Sequence, residues 1–324
     1  MKAGNTSHLA AAVLLAVTAG AAHGQANYPA RAVRIIVPSS PGGGTDILSR
    51  VVSPGLSERL GQTVVVDNRP GAGSIIGNDV VAKAPPDGYT LLMGISTLAI
   101  LPAMHKKLPY DAMRDLAPVT QVIAAPNILV THPSMPVKTV KELLAFAKKR
   151  PGEINYGSAG LGTNPHLSME HFLSMTGVKM VHVAYKGLGP AMVDLVAGQV
   201  QTAISTMLAG LPHVKSGRLR ALATTGAKRS SSLPDLPTVA EAGVPGYEAV
   251  QWYGLFAPAK TPREIVNKLN EAMKGTLQSA AIKERLAADG TEAVGSSPEE
   301  FARFLRSETE KWGKVVRSAG IQPR

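Results

Sequence analysis

A recurring unit constrains the fold of this chain more than any other feature: a short β-branched run, then a glycine-rich loop, then a helical pattern. In the first unit the run Val33-Arg34-Ile35-Ile36-Val37 leads through the loop at 38–46 into apolar residues at helical spacing that end at Gly61. Continuous β-branched runs are typical of strands buried on both faces. Strands that alternate with helices predict an α/β fold in which mostly parallel sheets are flanked by helices.

Further copies of the unit follow along the chain. The run Val64-Val65-Val66 precedes the loop at 68–74, and the run Ile154-Asn155-Tyr156 precedes the loop at 157–164. Pro165 suits the first turn of the helix after the second of these loops, because the N–H that proline lacks has no partner there. The carboxyl ends of parallel strands meet at one edge of a sheet, so we expect these loops to form a binding edge.

The length of the chain predicts two structural lobes. A chain of 324 residues is too long for one ordinary hydrophobic core, since domains contain roughly 100 to 200 residues. A strand-like stretch at 119–130 that contains Pro126 indicates a crossing into a second lobe, and the run at 251–256 indicates the return. We therefore assign 27–124 plus 253–324 to lobe 1 and 125–252 to lobe 2, with a cleft between them.

Residues 1–26 predict a cleavable secretory signal peptide. Lys2, the apolar run from Leu9 to Val17 and the small residues around Ala22 form the three-part pattern of such signals. The apolar run is much shorter than the roughly 20 residues of a membrane-spanning helix. A lipid anchor would need a cysteine near the cleavage site, and the chain contains none. We therefore expect a periplasmic protein.

The composition argues against several partners and chemistries. The formal net charge is +11, but aromatic residues make up only 4% of the chain and the basic residues are dispersed. This pattern does not favour nucleic-acid binding, whereas a basic surface attracts anionic solutes. The lack of cysteine excludes disulfides, thiol nucleophiles and thiolate metal sites. We expect a monomer without a cofactor.

The main candidate binding residues lie in three loops that each join a strand to a helix, at 41–46, 70–74 and 158–164. A helix N-terminus offers unpaired N–H donors and about half a positive charge, so it binds a carboxylate without any arginine. Glycine lets the backbone approach a ligand, although the same residues also form ordinary tight turns. The predicted ligand-binding residues of these loops are Pro41, Gly42, Gly43, Gly44, Thr45, Asp46, Ser158, Ala159, Gly160, Gly162 and Thr163.

Several other candidate residues suit a structural role as well as contact with a ligand. The carboxylate of Asp46 either contacts a ligand or caps the helix that begins there. Lys186 and Gly187 end a strand and open a helix, which favours contact with a ligand from lobe 2, although Lys186 also suits an exposed surface. Trp252 is a candidate floor of the pocket, but buried aromatic residues are commonly core residues. Weaker candidates for ligand contact are Arg69, Gly71 and Tyr253.

Patterns of known catalytic and metal sites are missing from the sequence. The chain contains no G-x-S-x-G, no G-x-x-x-x-G-K-[ST] and no H-E-x-x-H motif. The histidines at 132, 166, 171 and 182 do not have the spacing of metal ligands. We therefore predict no catalytic residue and no metal site, and we do not expect an enzyme.

The order of these motifs closely resembles that of the Bug-type receptors, the TctC-like substrate-binding proteins of tripartite tricarboxylate transporters. The resemblance extends over nearly the full chain, and the order of the motifs is more specific than any one of them. The segments that carry it are Tyr28-Pro29, Val37-Pro38, Pro41-Gly42-Gly43-Gly44-Thr45-Asp46, Asn68-Arg69-Pro70-Gly71-Ala72-Gly73, Pro86-Asp87-Gly88-Tyr89-Thr90, Tyr156-Gly157-Ser158-Ala159-Gly160, Gly162-Thr163, Tyr185-Lys186-Gly187, Ala197-Gly198-Gln199-Val200, Leu219-Arg220-Ala221-Leu222-Ala223, Pro237-Thr238-Val239-Ala240-Glu241-Ala242-Gly243 and Trp252-Tyr253-Gly254-Leu255-Phe256-Ala257-Pro258.

The resemblance implies a two-lobe periplasmic binding protein of type II, a Venus flytrap that closes on a small carboxylate. It also implies that backbone groups of the first loop and of the loop at 157–163 hold one carboxylate, and that membrane transporter subunits receive the ligand transiently. This chain has Gln201 and Ser205 where many members have acidic residues. Ser205 is therefore a candidate ligand-binding residue, and the missing acid disfavours an amino-acid ligand, whose ammonium needs a counter-charge.

Two other functions remain open from the sequence alone. A secreted, hydrolase-like enzyme on a doubly wound fold would turn its ligand over, whereas a receptor would release the ligand unchanged. An orphan ligand sensor would present its closed form to a membrane signalling protein instead of a transporter.

Overall fold

The computed structural model describes residues 28–318 and 322–323. The predicted signal peptide at 1–26 lies outside the described residues. None of the described helices combines the length and the apolar character that a membrane crossing requires.

Short strands alternate with helices along most of the described chain, as the sequence predicts. The strands are β1 (Val33–Val37), β2 (Val64–Asn68), β3 (Thr90–Ile95), β4 (Leu116–Thr131), β5 (Asn155–Ser158), β6 (Val181–Ala184), β7 (Thr202–Thr206), β8 (Arg220–Thr224), β9 (Val250–Pro258) and β10 (Glu292–Ala293). The α-helices are α1 (Gly44–Leu60), α2 (Ile75–Ala82), α3 (Thr97–Met104), α4 (Ala112–Asp115), α5 (Val140–Lys149), α6 (Asn164–Thr176), α7 (Leu188–Val196), α8 (Met207–Lys215), α9 (Arg263–Gln278), α10 (Ala280–Ala288) and α11 (Pro298–Ser318).

The strands form one sheet region in each lobe. In lobe 1 the order is β2-β1-β3-β9-β4, with β10 added to β4, and β1 is parallel to both β2 and β3. In lobe 2 the order is β6-β5-β7-β4-β8, and β5 is parallel to both β6 and β7. The parallel part of each lobe therefore ends its strands at one edge, as the sequence predicts.

Two long strands, β4 and β9, connect the lobes. They pair with each other from Leu116↔Pro258 to Pro126↔Val250, and β4 then pairs with β7 from Asn127 onward. Both strands run antiparallel to their neighbours, so the sheets are less uniformly parallel than the sequence predicts. The reason is the path of the chain, because a crossing and a return run in opposite directions.

The central strands of each sheet are buried on both faces. Ile35 and Ile36 of β1 are both fully buried but lie in different hydrophobic clusters, one packed with α1 and α9 and the other with α3 and α11. In β4, Leu129 packs with residues of α5 and α6, whereas Ile128 packs with α7 and α8. Side chains of a strand alternate between faces, so a continuous apolar run is the pattern that a doubly covered strand requires.

Candidate functional site

A cavity of about 320 Å³ lies between the lobes. Most of its lining follows the carboxyl ends of β1, β2, β3, β5, β6 and β7, where the sequence predicts a binding edge. The residues that line it are Pro38, Ser39, Gly43, Gly44, Thr45, Gly71, Ala72, Gly73, Ser74, Ile95, Thr97, Met104, His105, Ala159, Gly160, Leu161, Thr163, Pro165, Ala184, Tyr185, Lys186, Gly187, Leu188, Thr206, Gln251 and Tyr253.

The N-terminus of α1 opens onto the cavity from lobe 1. The helix begins at Gly44 after Gly43, whose position provides no side-chain cap. Gly44 and Thr45 line the cavity, and the first N–H groups of a helix have no acceptor within the helix. This end of α1 therefore presents backbone donors and partial positive charge to the cavity.

Asp46, in the first turn of α1, joins the preceding loop to this helix. Its Oδ2 accepts a hydrogen bond of 3.0 Å from the backbone N–H of Gly42, and its Oδ1 accepts one of 3.0 Å from Nε of Arg50. Burial alone would raise the pKa of the Asp46 carboxyl, but the hydrogen bonds from Arg50, Gly42 and Asn68 outweigh burial and lower that pKa. The carboxylate therefore holds the loop before α1, and it does not line the cavity.

Lobe 2 presents the loop before α6 and the start of α7. Ala159, Gly160, Leu161 and Thr163 line the cavity, and α6 begins at Asn164 without a side-chain cap from Thr163. The N-terminus of α7 follows Gly187, whose N–H donates a 3.1 Å hydrogen bond to the carbonyl oxygen of Ala159. Three helix N-termini, those of α1, α6 and α7, thus meet at one cavity.

The two lobes contact each other around the cavity. A Cβ atom built on Gly189 would lie 2.2 Å from the carbonyl oxygen of Pro41, and one on Gly187 would lie 2.3 Å from Oγ of Ser40. On the α2 side, a Cβ on Gly73 would lie 2.7 Å from the carbonyl oxygen of Leu161. Backbone therefore packs on backbone across the cleft, and the structure has a closed arrangement.

Hydroxyl groups supply further hydrogen-bonding capacity. Ser39 Oγ and Thr97 Oγ1 are buried at the cavity and have no hydrogen-bond partner within the described part of the chain. The Tyr253 hydroxyl lies beside that of Thr206, and burial raises the pKa of Tyr253, so its hydroxyl remains protonated at neutral pH. Sequence analysis missed Ser39, Thr97 and Thr206, although Ser39 lies in the loop at 38–46 that follows the first predicted strand.

The side chains of the cavity lining that can carry charge at neutral pH belong to basic residues. Lys186 and His105 line it, and its lining includes no Asp and no Glu among the residues that the structure describes. Together with the helix N-termini, this composition suits an anion and offers no carboxylate to an ammonium group.

The structure brings many of the predicted site residues together. Those that line the cavity are Gly43, Gly44, Thr45, Gly71, Ala159, Gly160, Thr163, Lys186, Gly187 and Tyr253. Those in the same loops but outside the lining are Pro41, Gly42, Asp46, Ser158 and Gly162. The loops as units therefore converge, whereas the individual residues differ in whether they point into the cavity.

Three predicted residues lie away from the cavity. Trp252 is fully buried in the core of lobe 1, where its Nε1–H donates to Oε2 of Glu308 at 3.0 Å. Its neighbours Gln251 and Tyr253 line the cavity instead, because adjacent residues of a strand face opposite sides. Ser205 is fully buried and donates to the carbonyl oxygen of Thr206, while the exposed Arg69 pairs with Asp67.

The described residues hold no group of three or more His, Asp or Glu side chains that could bind a metal ion. The histidines at 166 and 182 are close to each other, with ring centroids 4.2 Å apart. They lie behind the loop before α6 and outside the cavity lining.

Comparisons with known proteins match this chain to a family of receptors. Residues 48–321 match the model of the tripartite tricarboxylate transporter family receptor, TctC. The protein BugT of Bordetella pertussis is 42% identical over 297 residues, which cover 91% of each chain.

Solved structures show the same fold. Rpa4515 of R. palustris, solved with adipate, is 41% identical with a TM-score of 0.89, over 92% of this chain and 100% of that one. MatC of Rhodopseudomonas palustris, solved with bound malate, is 31% identical with a TM-score of 0.85, over 89% of this chain and 100% of that one. The two-lobe periplasmic binding protein fold and the resemblance seen in the sequence are thereby confirmed. The chain belongs to the TctC family, the receptors of tripartite tricarboxylate transporters.

Proposed function

We propose that this chain is a periplasmic receptor that binds a small carboxylate between its lobes and delivers it, unchanged, to a tripartite tricarboxylate-type transporter. The observation that carries the proposal is the meeting of the N-termini of α1, α6 and α7 at one cavity. Backbone donors and partial positive charge at such termini bind a carboxylate. Adipate and malate in the related structures support this ligand class.

The cavity favours a carboxylate without an amino group. An ammonium that leaves water needs a counter-charge or hydrogen-bond acceptors in compensation. The described lining offers Lys186 and His105 but no acidic side chain. The ligand class proposed is therefore an unsubstituted or hydroxylated mono- or dicarboxylate.

The residues proposed to contact the ligand are the predicted ones that line the cavity, together with two hydroxyls. Backbone N–H groups of Gly44 and Thr45 at the start of α1 bind one carboxylate, and the hydroxyls of Ser39 and Thr97 gain the hydrogen-bond partner that they lack within the described chain. Trp252, Arg69 and Ser205 are left out of this set because they lie away from the cavity. The lobes at 27–124 plus 253–324 and at 125–252 open and close about β4 and β9.

A thermal-shift screen tests the proposal. The mature protein is heated with monocarboxylates, dicarboxylates including adipate and malate, tricarboxylates and the matching amino acids, glutamate and aspartate. A ligand that binds only the folded state at 100 times its Kd adds about 2.7 kcal/mol to stability. We expect stabilisation by at least one plain carboxylate and a much smaller effect of its amino analogue.

Mass analysis of each hit after incubation separates binding from turnover. Recovery of the acid unchanged supports a receptor. Consumption of the acid would show an enzyme and contradict the proposal. Preferential stabilisation by an amino acid would contradict the ligand class while leaving the receptor function in place.

A further inference from the structure

A cluster of polar side chains lies directly behind the loop before α6, outside the cavity lining. In this cluster the ring of His182 stacks between two others, with centroids 4.8 Å from Tyr156 and 4.2 Å from His166. The Tyr156 hydroxyl donates a short hydrogen bond to Oε1 of Glu170. Oε1 of Glu170 also lies 3.9 Å from Nε2 of His166. Nothing in the carboxylate site itself requires two stacked histidines at this place.

His166 holds one amide of the ligand loop. The backbone N–H of Gly162 donates to Nδ1 of His166 at 3.2 Å, and the imidazole is buried. Nδ1 accepts a hydrogen bond only when it carries no proton, so this contact requires the neutral tautomer with its proton on Nε2, on the side of Glu170. Gly162 has a φ of +74°, which glycine adopts readily. Because glycine is also free to adopt other conformations, contacts such as this one keep the loop in a single conformation.

His182 holds a second amide of the same loop through Ser158. Nε2 of His182 lies 2.6 Å from Oγ of Ser158, and that Oγ accepts a 3.1 Å hydrogen bond from the backbone N–H of Gly160. Gly160 also has a positive φ, of +122°. When the Ser158 hydroxyl donates to a neutral His182, both lone pairs of its oxygen remain available to the loop.

Electrostatics keep His182 neutral. Burial, and then repulsion from His166 in its protonated form, lower the pKa of His182 to about 4, against an opposing effect of Glu170. Two protonated rings stacked 4.2 Å apart would repel each other. The titratable groups that face the pair are Glu170 on α6 and Tyr156 on β5.

We propose that His166 and His182 are positioning residues of the carboxylate site. Each neutral imidazole fixes one glycine amide of the loop at 158–163, and together they hold the backbone that lines the cavity in its binding conformation. This inference rests on the proposed function, since the loop is part of the proposed carboxylate site.

Substitutions at His166 test the proposal. His166→Leu removes the acceptor, whereas His166→Asn retains one, because Oδ1 of Asn and Nδ1 of His are both two bonds from Cβ. The matched control is His171→Leu on the same helix, whose ring stacks on Tyr247 at 5.2 Å and does not contact the loop. Thermal unfolding of each protein shows whether it is folded before binding is measured.

Hydrogen exchange of the loop is the first readout, and it needs no ligand. We expect the peptide that spans 158–163 to exchange about tenfold faster in His166→Leu, and near the wild-type rate in His166→Asn and His171→Leu. Unchanged exchange in His166→Leu would overturn the assignment of the histidines. This result does not depend on whether any carboxylate binds.

Calorimetric titration with adipate and with malate is the second readout. For the acid that binds the wild type, we expect affinity about tenfold weaker in His166→Leu and largely restored in His166→Asn. Equal affinity of all variants would contradict the positioning role, and failure of the wild type to bind any screened carboxylate would instead contradict the proposed function.

Discussion

The glycines at the contact between the lobes have a defined role in closure. Gly189 is part of α7 and packs on the carbonyl oxygen of Pro41 from the other lobe, at a distance that leaves no room for a methyl group. Elsewhere in the chain a helical glycine contacts only a flexible side chain, as Gly313 contacts the guanidinium of Arg317. Substitutions at Gly189 and Gly313 therefore separate the effect of blocked closure on ligand affinity from the general effect of replacing a helical glycine.

We predict that Gly189→Ala weakens ligand binding without destabilising the unliganded protein. The new Cβ would lie 2.2 Å from the Pro41 oxygen and would keep the lobes apart. The atoms closest to a Cβ on Gly189 belong to Pro41 and Ser40 of the other lobe, so the free energy of unfolding of the open form should change little. Titration with the best acid of the screen should show affinity at least tenfold weaker, while Gly313→Ala should bind like the wild type. Equal affinity of the two variants would mean that closure does not use this contact.

The sequence did not show which residues of a predicted strand point their side chains into the cavity. The run that contains Trp252 and Tyr253 was predicted to contribute to the pocket, and Tyr253 and Gln251 do line the cavity. Trp252 faces the core, because alternate residues of β9 point to opposite sides. A strand buried on both faces shows no polar alternation, so the sequence offers no signal for which set of residues faces the ligand.

The start of α1 depends on one carboxylate. Asp46 is only 4% exposed, and it accepts hydrogen bonds from the Gly42 amide and from Arg50. These bonds fix the loop whose neighbouring residues line the cavity. The contacts of Asp46 therefore join the loop to the first turn of α1, and they do not cap the free N–H groups of that helix.

We predict that Asp46→Asn lowers the free energy of unfolding by about 1 kcal/mol at pH 7. The folded pKa of Asp46 lies below its ordinary value of 3.8, so its contribution to stability is present above about pH 4 and is lost as the pH falls through the folded pKa. Denaturant unfolding at pH 7 and at pH 3 should therefore show a difference between the two proteins that shrinks in acid. A difference that does not change with pH would show that the charge of Asp46 is not the stabilising feature.

Sequence analysis predicted α1 although Pro54 lies inside it, because its apolar residues keep helical spacing as far as Gly61. Sequence analysis did not predict α3 and α8, which contain Pro102 and Pro212. Proline usually ends a helix, so only packing of the surrounding residues reveals that these two segments continue through it.

The connection between the lobes also contacts the ligand loop. Asn164, the first residue of α6, donates to the carbonyl oxygen of Val250 at 3.0 Å and accepts from Nδ2 of Asn127 at 2.7 Å. Val250 and Asn127 lie on the two connecting strands, where β4 changes partners. A ligand at the N-terminus of α6 therefore acts close to the point about which we propose that the lobes move.

Closure of the whole molecule should be measurable by energy transfer between two dyes. The chain contains no cysteine, so Val80→Cys on α2 and Val193→Cys on α7, both exposed, label one lobe each. We expect the best acid of the screen to increase energy transfer in this pair. The control pair Val65→Cys and Met113→Cys, exposed and both within lobe 1, should not respond. An unchanged signal in the pair between lobes would contradict ligand-driven closure.

The sequence by itself determined the α/β class, the two lobes, the family resemblance and the loops that meet at the cavity. These properties follow from local patterns, since periodicity, glycine loops and helix starts act over a few neighbouring residues. The tertiary structure alone decided which residues of those loops face the cavity, that Ser39, Thr97 and His105 join them, and that two histidines stand behind Gly160 and Gly162. Such contacts join residues that are distant in the chain, and they arise only when strands, lobes and side-chain directions are combined.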